Sequence, residues 1–488
     1  MFIISVPKLF QRLGSKSTAV PPLPRVIYPP GLAEIKYWPL HQLPPMVQQC
    51  PLSLKYIQML GQLDWENLPW RPQAAQPGPY PENPLPYMAA LLVKGDQQIQ
   101  GMGQLRQFLI AHPALTWVLG FELQLCQEMP CGVDVAASLP SAAHFSHVLR
   151  TLPNALLQFL LTDTVAQLRL LLPVESGFGH AVAIDTKHIL AWVKENNPKA
   201  YIKEGRLDKT NQPAGDNDCK LGCKRRRNLP PEATPTKEGT PVAGKGVGKG
   251  EYYWGYASGV VVTKVAGWGE FVLAEMTATF DKSDVSYFAP LMQQVEARLG
   301  FAPPFGTADA AYDAWYVYDY FDRAGGFAAI PYVDRTKGRL YQFDEQGLPL
   351  CAAQLAMPVK STFMKQATSV PHECARHICP VRLSALPVEP CPIGHEKWAT
   401  GGCQVTLPTN KGTRLRYQLD RHSWEYKVLY KQRTAAERIF SQALALGIER
   451  PKVRNQQSIT NQNSLIYLLL NLRALLRVQE QKQRAISK

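Results

Sequence analysis

Hydrophobic periodicity separates an early helical part of the chain from a later part that contains strands. Residues 141–152 and 154–172 have apolar positions at helical spacing, Pro153 separates the two segments, and Ser141 is a suitable N-cap for the first. Residues 1 to about 100 are rich in proline, as in PPLPRVIYPP and PGPYPENPLP. This composition predicts irregular, extended segments with a few short helices.

Strand patterns begin after residue 180. Apolar runs at 180–188, 252–265 and 270–280 predict strands, and the last two are joined by a glycine-containing turn typical of a hairpin. A helix at 283–300, a strand that ends at Asp309, a short helix near 313–323 and a strand at 326–334 follow. A helix at about 434–446, closed by Gly447, and an apolar helix at 465–476 complete the pattern. This order predicts an α/β protein.

Two stretches interrupt the predicted core. Residues 203–250 are rich in Lys, Gly, Pro and Asn, which favours a mobile basic insertion, and residues 335–428 form a turn-rich insertion that contains cysteines. We therefore divide the chain into a proline-rich region (1–100), a helical region (101–173), a first core part (174–334), the cysteine-bearing insertion (335–428) and a last core part with a basic tail (429–488).

The net charge points to a polyanionic partner. The chain has 53 basic and 39 acidic residues, a formal charge of +14, and nucleic acid is the partner that such a balance favours. No apolar run reaches the roughly 20 residues that span a bilayer, so we expect no membrane partner and a cytoplasmic, nucleoid-associated protein. In that compartment the ten cysteines are expected to be free thiols or metal ligands rather than disulfides.

Two predicted strands carry an aspartate where we expect each strand to end. Asp185 follows the run in AVAID, and Asp309 lies in GTADAAYDAW. If the two strands are neighbours, the carboxylates lie within a few ångströms and repel each other unless a cation binds between them. Mg²⁺ with oxygen ligands is the usual cation for such a pair. A third carboxylate would complete a site for two metal ions, roughly 4 Å apart.

Three stretches resemble the DDE transposases of bacterial insertion sequences. They are AIDTKH, GTADAAYDAWYVYDYF and YKQRTAAERIFSQALALGIERPKVRN, and the last contains the Tyr-x2-Arg-x3-Glu spacing of the family as Tyr430, Arg433 and Glu437. The resemblance covers about residues 140–476. The family often has a Lys seven residues after the Glu, where this chain has Leu444, so a phosphate-binding role for that Lys has no counterpart here.

The resemblance implies a fold and an activity. It implies a ribonuclease-H-like mixed sheet with flanking helices, interrupted by an insertion domain and preceded by a mainly helical N-terminal region. It maps the metal ligands of the family onto Asp185, Asp309 and Glu437. The expected protein is a transposase that uses two Mg²⁺ ions, which Mn²⁺ can replace, to cleave DNA at the ends of its own mobile element and join the 3′ ends to target DNA. Double-stranded DNA, as terminal inverted repeats and target, is the expected partner, with a homodimer assembled on it.

Each acidic residue also has an ordinary structural interpretation. Asp185 could cap a turn, Asp309 could begin an Asx-turn, and Glu437 could form a capping box with Thr434. Asp313 competes with Asp309 as second ligand, although it falls inside the predicted helix. Two other functions also remain open, namely a catalytically inactive DNA-binding protein derived from a transposase and a metal-dependent nuclease without strand transfer.

Basic and cysteine residues give the remaining site predictions. Arg433 would hold a phosphate, or form only a surface ion pair with Glu437 four residues later, and Tyr430 would contact the DNA backbone. We expect the helical region 101–173 to bind the DNA ends. We also expect DNA contacts from two basic clusters, which are Lys224, Arg225, Arg226 and Arg227 in the basic insertion, and Arg450, Lys452 and Arg454 after the Glu437 helix. Cys374, Cys379, Cys391 and Cys403 could bind Zn²⁺, with His372, His377 and His395 as substitutes, although buried unligated thiols are the simpler interpretation.

Overall fold

The protein is a mixed α/β structure, seen here in a computed structural model. The structure describes residues 26–70, 83–129, 131–197, 205–225, 250–333, 341–368, 370–382, 391–396 and 400–486. Within these ranges the helices are α1 Leu32–Ile35, α2 Pro45–Gln48, α3 Pro51–Leu60, α4 Leu85–Asp96, α5 Met102–Ala111, α6 Pro113–Val118, α7 Val135–Ser138, α8 Ala142–Thr151, α9 Asn154–Leu171, α10 Phe288–Leu299, α11 Trp315–Arg323, α12 Lys411–Gln418, α13 Trp424–Tyr430, α14 Thr434–Ala445 and α15 Gln456–Ile486.

Strands within the described ranges form three sheets. They are β1 Val26–Ile27, β2 Leu123–Leu125, β3 Val133–Asp134, β4 Ala181–Leu190, β5 Lys220–Arg225, β6 Gly250–Val265, β7 Gly269–Thr279, β8 Phe305–Ala308, β9 Phe327–Ala329, β10 Val359–Lys365, β11 His372–Ile378 and β12 Gln404–Pro408. The first three strands form a small sheet, β10–β12 form another, and the central sheet has the order β5-β6-β4-β8-β9 with β7 also paired to β6.

The central sheet combines antiparallel and parallel pairing. β7, β6 and β4 are successive antiparallel neighbours, and the long β6–β7 hairpin confirms the one expected from the sequence. β4 then pairs in parallel with β8, and β8 with β9. Gly306 permits a close approach on β8, because a Cβ atom there would lie 2.0 Å from the ring of Phe321 in α11. α10 packs on one face of the sheet and α14 on the other.

Two strand boundaries differ from the sequence predictions. β4 does not end at Asp185 but continues to Leu190, because antiparallel β6 pairs with it over Val182–Leu190. The parallel ladder with β8 stops earlier, at Ile184 and Ala308. β8 is short and ends at Ala308, one residue before Asp309, where the sequence predicted its end. Asp185 therefore marks the end of one ladder, and it lies inside the other.

Part of the predicted basic insertion is packed into the core. Lys220–Arg225 form β5 at the edge of the central sheet, and Cys219 and Leu221 are buried beside α14. The hydroxyl of Tyr256 donates a hydrogen bond of 2.8 Å to the carboxylate of Asp216. The interpretation of 203–250 as mobile is therefore wrong for 205–225, since β5 is paired in the central sheet and Cys219 and Leu221 are buried in its core. Residues 226–249 lie outside the described residues.

The long C-terminal helix α15 connects the regions. Leu465, Leu468, Leu469 and Leu472 belong to a hydrophobic cluster that spans Leu32–Leu160, which includes both the proline-rich and the helical regions. The same helix packs against β7 and contacts α14. The apolar helix predicted at 465–476 is thus a buried segment of a longer helix. No helix within the described ranges is long and apolar enough to cross a bilayer.

The cysteine-bearing insertion has a small core of its own. Cys351, Met357, Val405 and Leu407 form its buried cluster, next to the β10–β12 sheet. α12 contacts α11, and α13 contacts β8 and β9. Contacts with the central sheet therefore begin before residue 429, where the sequence boundary of the last core part was drawn.

Candidate active site

Asp185 lies on the face of the central sheet that α14 covers. Side chains alternate along a strand, and Ala183 and Ile189 of β4 belong to the cluster that contains Ala435 and Ile439 of α14. Asp185 shares their face, with 18% of its side chain exposed. Its Oδ1 accepts a hydrogen bond of 2.8 Å from the backbone N–H of Thr186. This local bond fixes the carboxylate without neutralising it.

Asp309 follows directly after β8, next to Asp185. The parallel register pairs Ile184 with Ala308, so its continuation by one residue brings Asp185 and Asp309 side by side. Oδ1 of Asp309 accepts a hydrogen bond of 2.8 Å from the backbone N–H of Ala311, and Asp309 caps the short 3-10 turn Ala310–Tyr312. The Asx-turn interpretation is therefore correct, but such a turn uses one of the two carboxylate oxygens.

The electrostatic environment of Asp185 is unfavourable for its charge. Burial, followed by the negative charges of Asp309 and Asp284, raises the pKa of Asp185 to about 7, although the nearby guanidinium of Arg433 opposes this shift. Asp284 lies in the 3-10 turn Asp284–Tyr287, which contacts the turn after Asp309. The sequence analysis did not identify Asp284, because only the packing of these two turns brings it near Asp185.

Arg433 lies between two of the predicted ligands. Its Nη1 is 3.9 Å from Oδ2 of Asp185, and its Nη2 is 2.5 Å from Oε1 of Glu437. The guanidinium carbon lies 5.9 Å from the ring centre of Tyr430, which stacks on Tyr426 with ring centres 5.7 Å apart. The 3-10 turn Lys431–Arg433 contacts both β4 and β8. The Tyr-x2-Arg-x3-Glu segment therefore reaches the carboxylate of Asp185 through Arg433.

Glu437 is the most exposed of the three predicted ligands. Its side chain is 48% exposed and its carboxylate pairs with Arg433. The capping box with Thr434 is not formed, because the hydroxyl of Thr434 donates to the carbonyl oxygen of Lys431 and α14 has no side-chain cap. Over the described ranges, no group of three or more His, Cys, Asp or Glu side chains is arranged to hold a metal ion. The structure thus brings Asp185 and Asp309 together, and Glu437 forms an ion pair with Arg433.

Asp313, the competing second ligand, has a structural role. It is 2% exposed, and its two oxygens accept hydrogen bonds of 2.7 and 2.6 Å from the guanidinium of Arg416. The hydroxyl of Tyr318 and the backbone N–H of Val333 also donate to it, each at 2.8 Å. These donors occupy the acceptor positions that a metal ion would need.

The predicted DNA-contacting residues lie at several places. Arg450, Lys452 and Arg454 are exposed, and the last two contact the ring of Trp192 at 5.7 and 4.8 Å. Trp192 is seven residues beyond Asp185 along the chain, which corresponds to roughly 20 Å in an extended strand. Lys224 is exposed on β5, and its charge adds to the effect of burial, which is the main cause that lowers the pKa of His188. Arg225 is in β5, whereas Arg226 and Arg227 lie outside the described residues.

The four cysteines proposed as zinc ligands lie at separate positions of the insertion. Cys374 is buried within β11, and Cys379 follows the end of that strand, roughly 16 Å farther along extended chain. Cys391 is different, because backbone N–H groups of His395, Ile393 and Gly394 point at its sulfur and lower its pKa. These positions do not fit one four-cysteine site, since Cys374 is separated from Cys379 by the length of the strand.

Comparison with known proteins adds no family assignment. The chain matches no family model and no curated protein. The functional assignment therefore depends on the arrangement of Asp185, Asp309, Arg433 and Glu437 and on the motifs that they belong to.

Proposed function

We propose that this protein is a DNA transposase with a ribonuclease-H-like core, which cleaves DNA at the ends of its own mobile element and joins the 3′ ends to target DNA. The observation that carries the proposal is the parallel β4–β8 register, which makes Asp185 and Asp309 neighbours. Arg433 of the Tyr-x2-Arg-x3-Glu segment lies 3.9 Å from Asp185, one member of that pair. The net charge of +14 supports a nucleic-acid substrate.

The sheet topology supports the ribonuclease-H-like part of the proposal. Three antiparallel strands, β7, β6 and β4, are followed by the parallel strands β8 and β9. Helices cover both faces of this sheet, and the insertion between β9 and α14 contains its own sheet. A mixed sheet of this kind with flanking helices and an insertion is what the resemblance implies.

The donor set suits a hard divalent cation. Asp185 and Asp309 provide carboxylate oxygens, the ligands that Mg²⁺ and Mn²⁺ prefer. Burial and, after it, the negative charge of Asp309 raise the pKa of Asp185, and a bound cation would offset that charge. Asp185 and Asp309 would hold the metal, and Glu437 would join them when its carboxylate leaves Arg433. Bound Mg²⁺ ions would activate water and stabilise the leaving oxygen of the phosphodiester.

The protein residues around the carboxylates would bind and orient DNA. Arg433, once its pairing with Glu437 is broken, can hold a phosphate oxygen through two N–H groups. Tyr430 lies beside it and would contact the sugar-phosphate backbone. Orientation of the scissile bond by such residues supplies a large part of the rate in phosphoryl transfer. We further propose that two copies assemble on the DNA ends.

Conservative substitutions test the site. Asp185→Asn, Asp309→Asn and Glu437→Gln each preserve shape and remove one negative charge, so each is expected to lower cleavage of DNA carrying the ends of the element by about 100-fold or more, with end binding nearly unchanged. Glu425→Gln is the matched control, because Glu425 is an exposed glutamate in the first turn of α13. Cleavage rates with Mg²⁺ are measured by gel analysis of labelled DNA. Near-normal cleavage by any one of the three variants would remove that residue from the site.

Sequencing of the products separates the alternative functions. Strand-transfer products are expected from a transposase, whereas a metal-dependent nuclease gives cut ends only. A DNA-binding protein derived from a transposase gives neither product while it still binds the ends. The pairing of exposed Glu437 with Arg433 is the observation that favours this last alternative.

A further inference from the structure

A groove away from the carboxylates is lined by cations and by the starts of two helices. It has a volume of about 510 Å³. Its walls are the first turns of α5 and α8, the side chain of Trp192, and the loop that follows α14. We call it the Trp192 groove and define it by Lys94, Gly103, Ala143, Trp192 and Lys452. A second, smaller cavity of about 50 Å³ shares Lys94 and Lys452 with the groove and adds Arg450.

The charge of the Trp192 groove has one sign. Among the described residues, no Asp or Glu lines either cavity. Lys94 is half-buried, and burial lowers its pKa, yet no side chain in the described part of the chain forms an ion pair with it. A partly buried cation without an anion is unfavourable. A bound anion would supply the missing partner.

Two helix N-termini add partial positive charge to the same groove. α5 and α8 are each 10 residues long, and residues of their first turns line the groove. The first N–H groups of a helix have no intrahelical acceptor, and the helix dipole favours an anion next to them. Ser141 caps the N–H of His144, so this side chain does not serve the N–H groups of Ala142 and Ala143.

Trp192 provides an exposed flat surface beside the cations. It is 46% exposed, and the guanidinium of Arg454 lies 4.8 Å from its ring centre. Nε of Arg454 also donates a hydrogen bond of 3.2 Å to the carbonyl oxygen of Trp192, which fixes both groups. An aromatic ring flanked by cations suits a nucleotide, since its phosphate is attracted to the cations and its sugar or base packs on the ring.

We propose that the Trp192 groove binds a backbone phosphate of DNA, with the ring of Trp192 against the adjoining nucleotide. This inference rests on the proposed function, which supplies DNA as the substrate. Leu190, the last residue of β4, is roughly 16 Å from Asp185 along the strand, which is about five base-pair steps at 3.4 Å each, and Trp192 follows two residues later. A duplex that is bound at the carboxylates and follows this strand would therefore reach the groove.

A carboxylate introduced at Gly103 tests the proposal without harming the fold. A Cβ atom at Gly103 meets no atom within 4 Å, and a glutamate in the first turn is favourable for a helix. Gly103→Glu should therefore melt at the same temperature as the native protein or higher. It should bind labelled random-sequence duplex about tenfold more weakly at low salt, with a salt slope smaller by about 1. Gly103→Gln, the neutral control of the same shape, should retain most of the affinity.

Binding is measured by fluorescence polarisation in EDTA, so that no cleavage is involved. Equal affinities of Gly103→Glu and Gly103→Gln for DNA would overturn the proposal, whatever the cleavage assays show. If the native protein does not cleave DNA but Gly103→Glu still binds DNA more weakly than Gly103→Gln, the proposed function is contradicted and the proposal for the groove is not. Inorganic phosphate and deoxyadenosine monophosphate are then added as competitors of the labelled duplex. Their affinities show whether the groove binds a phosphate of DNA, free phosphate or a mononucleotide. If the mononucleotide binds as tightly as duplex DNA and depends equally on Gly103, the groove is a nucleotide site and the DNA assignment is wrong.

Discussion

Two pairs of aspartate and arginine in the same α/β core have opposite characters. Asp313 and Arg416 form a buried pair with two hydrogen bonds of 2.7 and 2.6 Å, and Tyr318 and Val333 supply further donors to Asp313. Asp185 and Arg433 are 3.9 Å apart in a partly open position. Asp185 faces the negative charges of Asp309 and Asp284 as well. The first carboxylate is fully paired, and the second retains charge that its surroundings do not offset.

This difference separates a structural carboxylate from a candidate ligand. A buried charge that is completely hydrogen-bonded stabilises one arrangement of the chain and has no free acceptor for a metal ion. Like charges at neighbouring positions are unfavourable in the protein alone and become favourable when a cation binds. Proximity to Asp309 in the sequence is therefore a poor guide to function, since Asp313 is only four residues away and belongs to the other class.

The largest stability effect is expected at the structural pair. Asp313→Ala leaves the half-buried guanidinium of Arg416 without its partner, and we expect a loss of about 3–5 kcal/mol in the free energy of unfolding. Asp322→Asn is the matched control, because Asp322 pairs with Lys411 at the surface and should cost less than about 1 kcal/mol. Urea unfolding at neutral pH measures both variants. Similar losses in the two variants would show that the buried Asp313–Arg416 pair stabilises the fold no more than the surface Asp322–Lys411 pair.

Substitution of Asp185 should raise the free energy of unfolding, whereas substitution of Asp313 lowers it, and the size of this increase should depend on pH. The pKa of Asp185, about 7, exceeds the ordinary value of 3.8, so the folded protein binds more protons between these values and loses stability as the pH rises through them. Asp185→Asn does not lose stability in this way, because an asparagine side chain does not titrate. In EDTA we expect it to be more stable than the native protein by as much as about 4 kcal/mol at pH 8, and equally stable at pH 4.

Glu122→Gln serves as the control for this comparison, because Glu122 is an exposed carboxylate outside the central sheet. Its unfolding free energy should track that of the native protein at both pH values. A stability difference between Asp185→Asn and the native protein that is the same at pH 4 and pH 8 would contradict the charged environment inferred for Asp185.

The smallest stability effect is expected at Arg433. The carboxylate with which it pairs, that of Glu437, is 48% exposed, so Arg433→Gln should change the free energy of unfolding by less than about 1 kcal/mol. The pKa of Asp185 should rise further, because the guanidinium favours the charged carboxylate. Carbon NMR of the carboxyl groups across a pH titration measures this shift. A lower pKa in the variant would show that Arg433 does not act on Asp185.

Much of the local structure could be predicted from periodicity and capping residues. The β6–β7 hairpin, the helices α8 and α9 on either side of Pro153 and the N-cap at Ser141 follow the sequence pattern. These features depend on neighbouring residues, which the sequence displays directly. The end of β4 was placed wrongly because its length depends on β6, a strand about 70 residues later. The packing of 205–225 was missed for the same reason.

The sequence by itself determined the chemistry available to this protein. It supplies two aspartates after apolar runs, the Tyr430, Arg433 and Glu437 spacing, and an excess of positive charge. Only the tertiary structure decided which of these groups meet. It brings Asp309 beside Asp185, assigns Asp313 to Arg416, adds Asp284 and joins Lys94 to Trp192 across one groove. Such contacts depend on strand register and helix packing, which are set by residues far apart in the chain and therefore leave no local pattern.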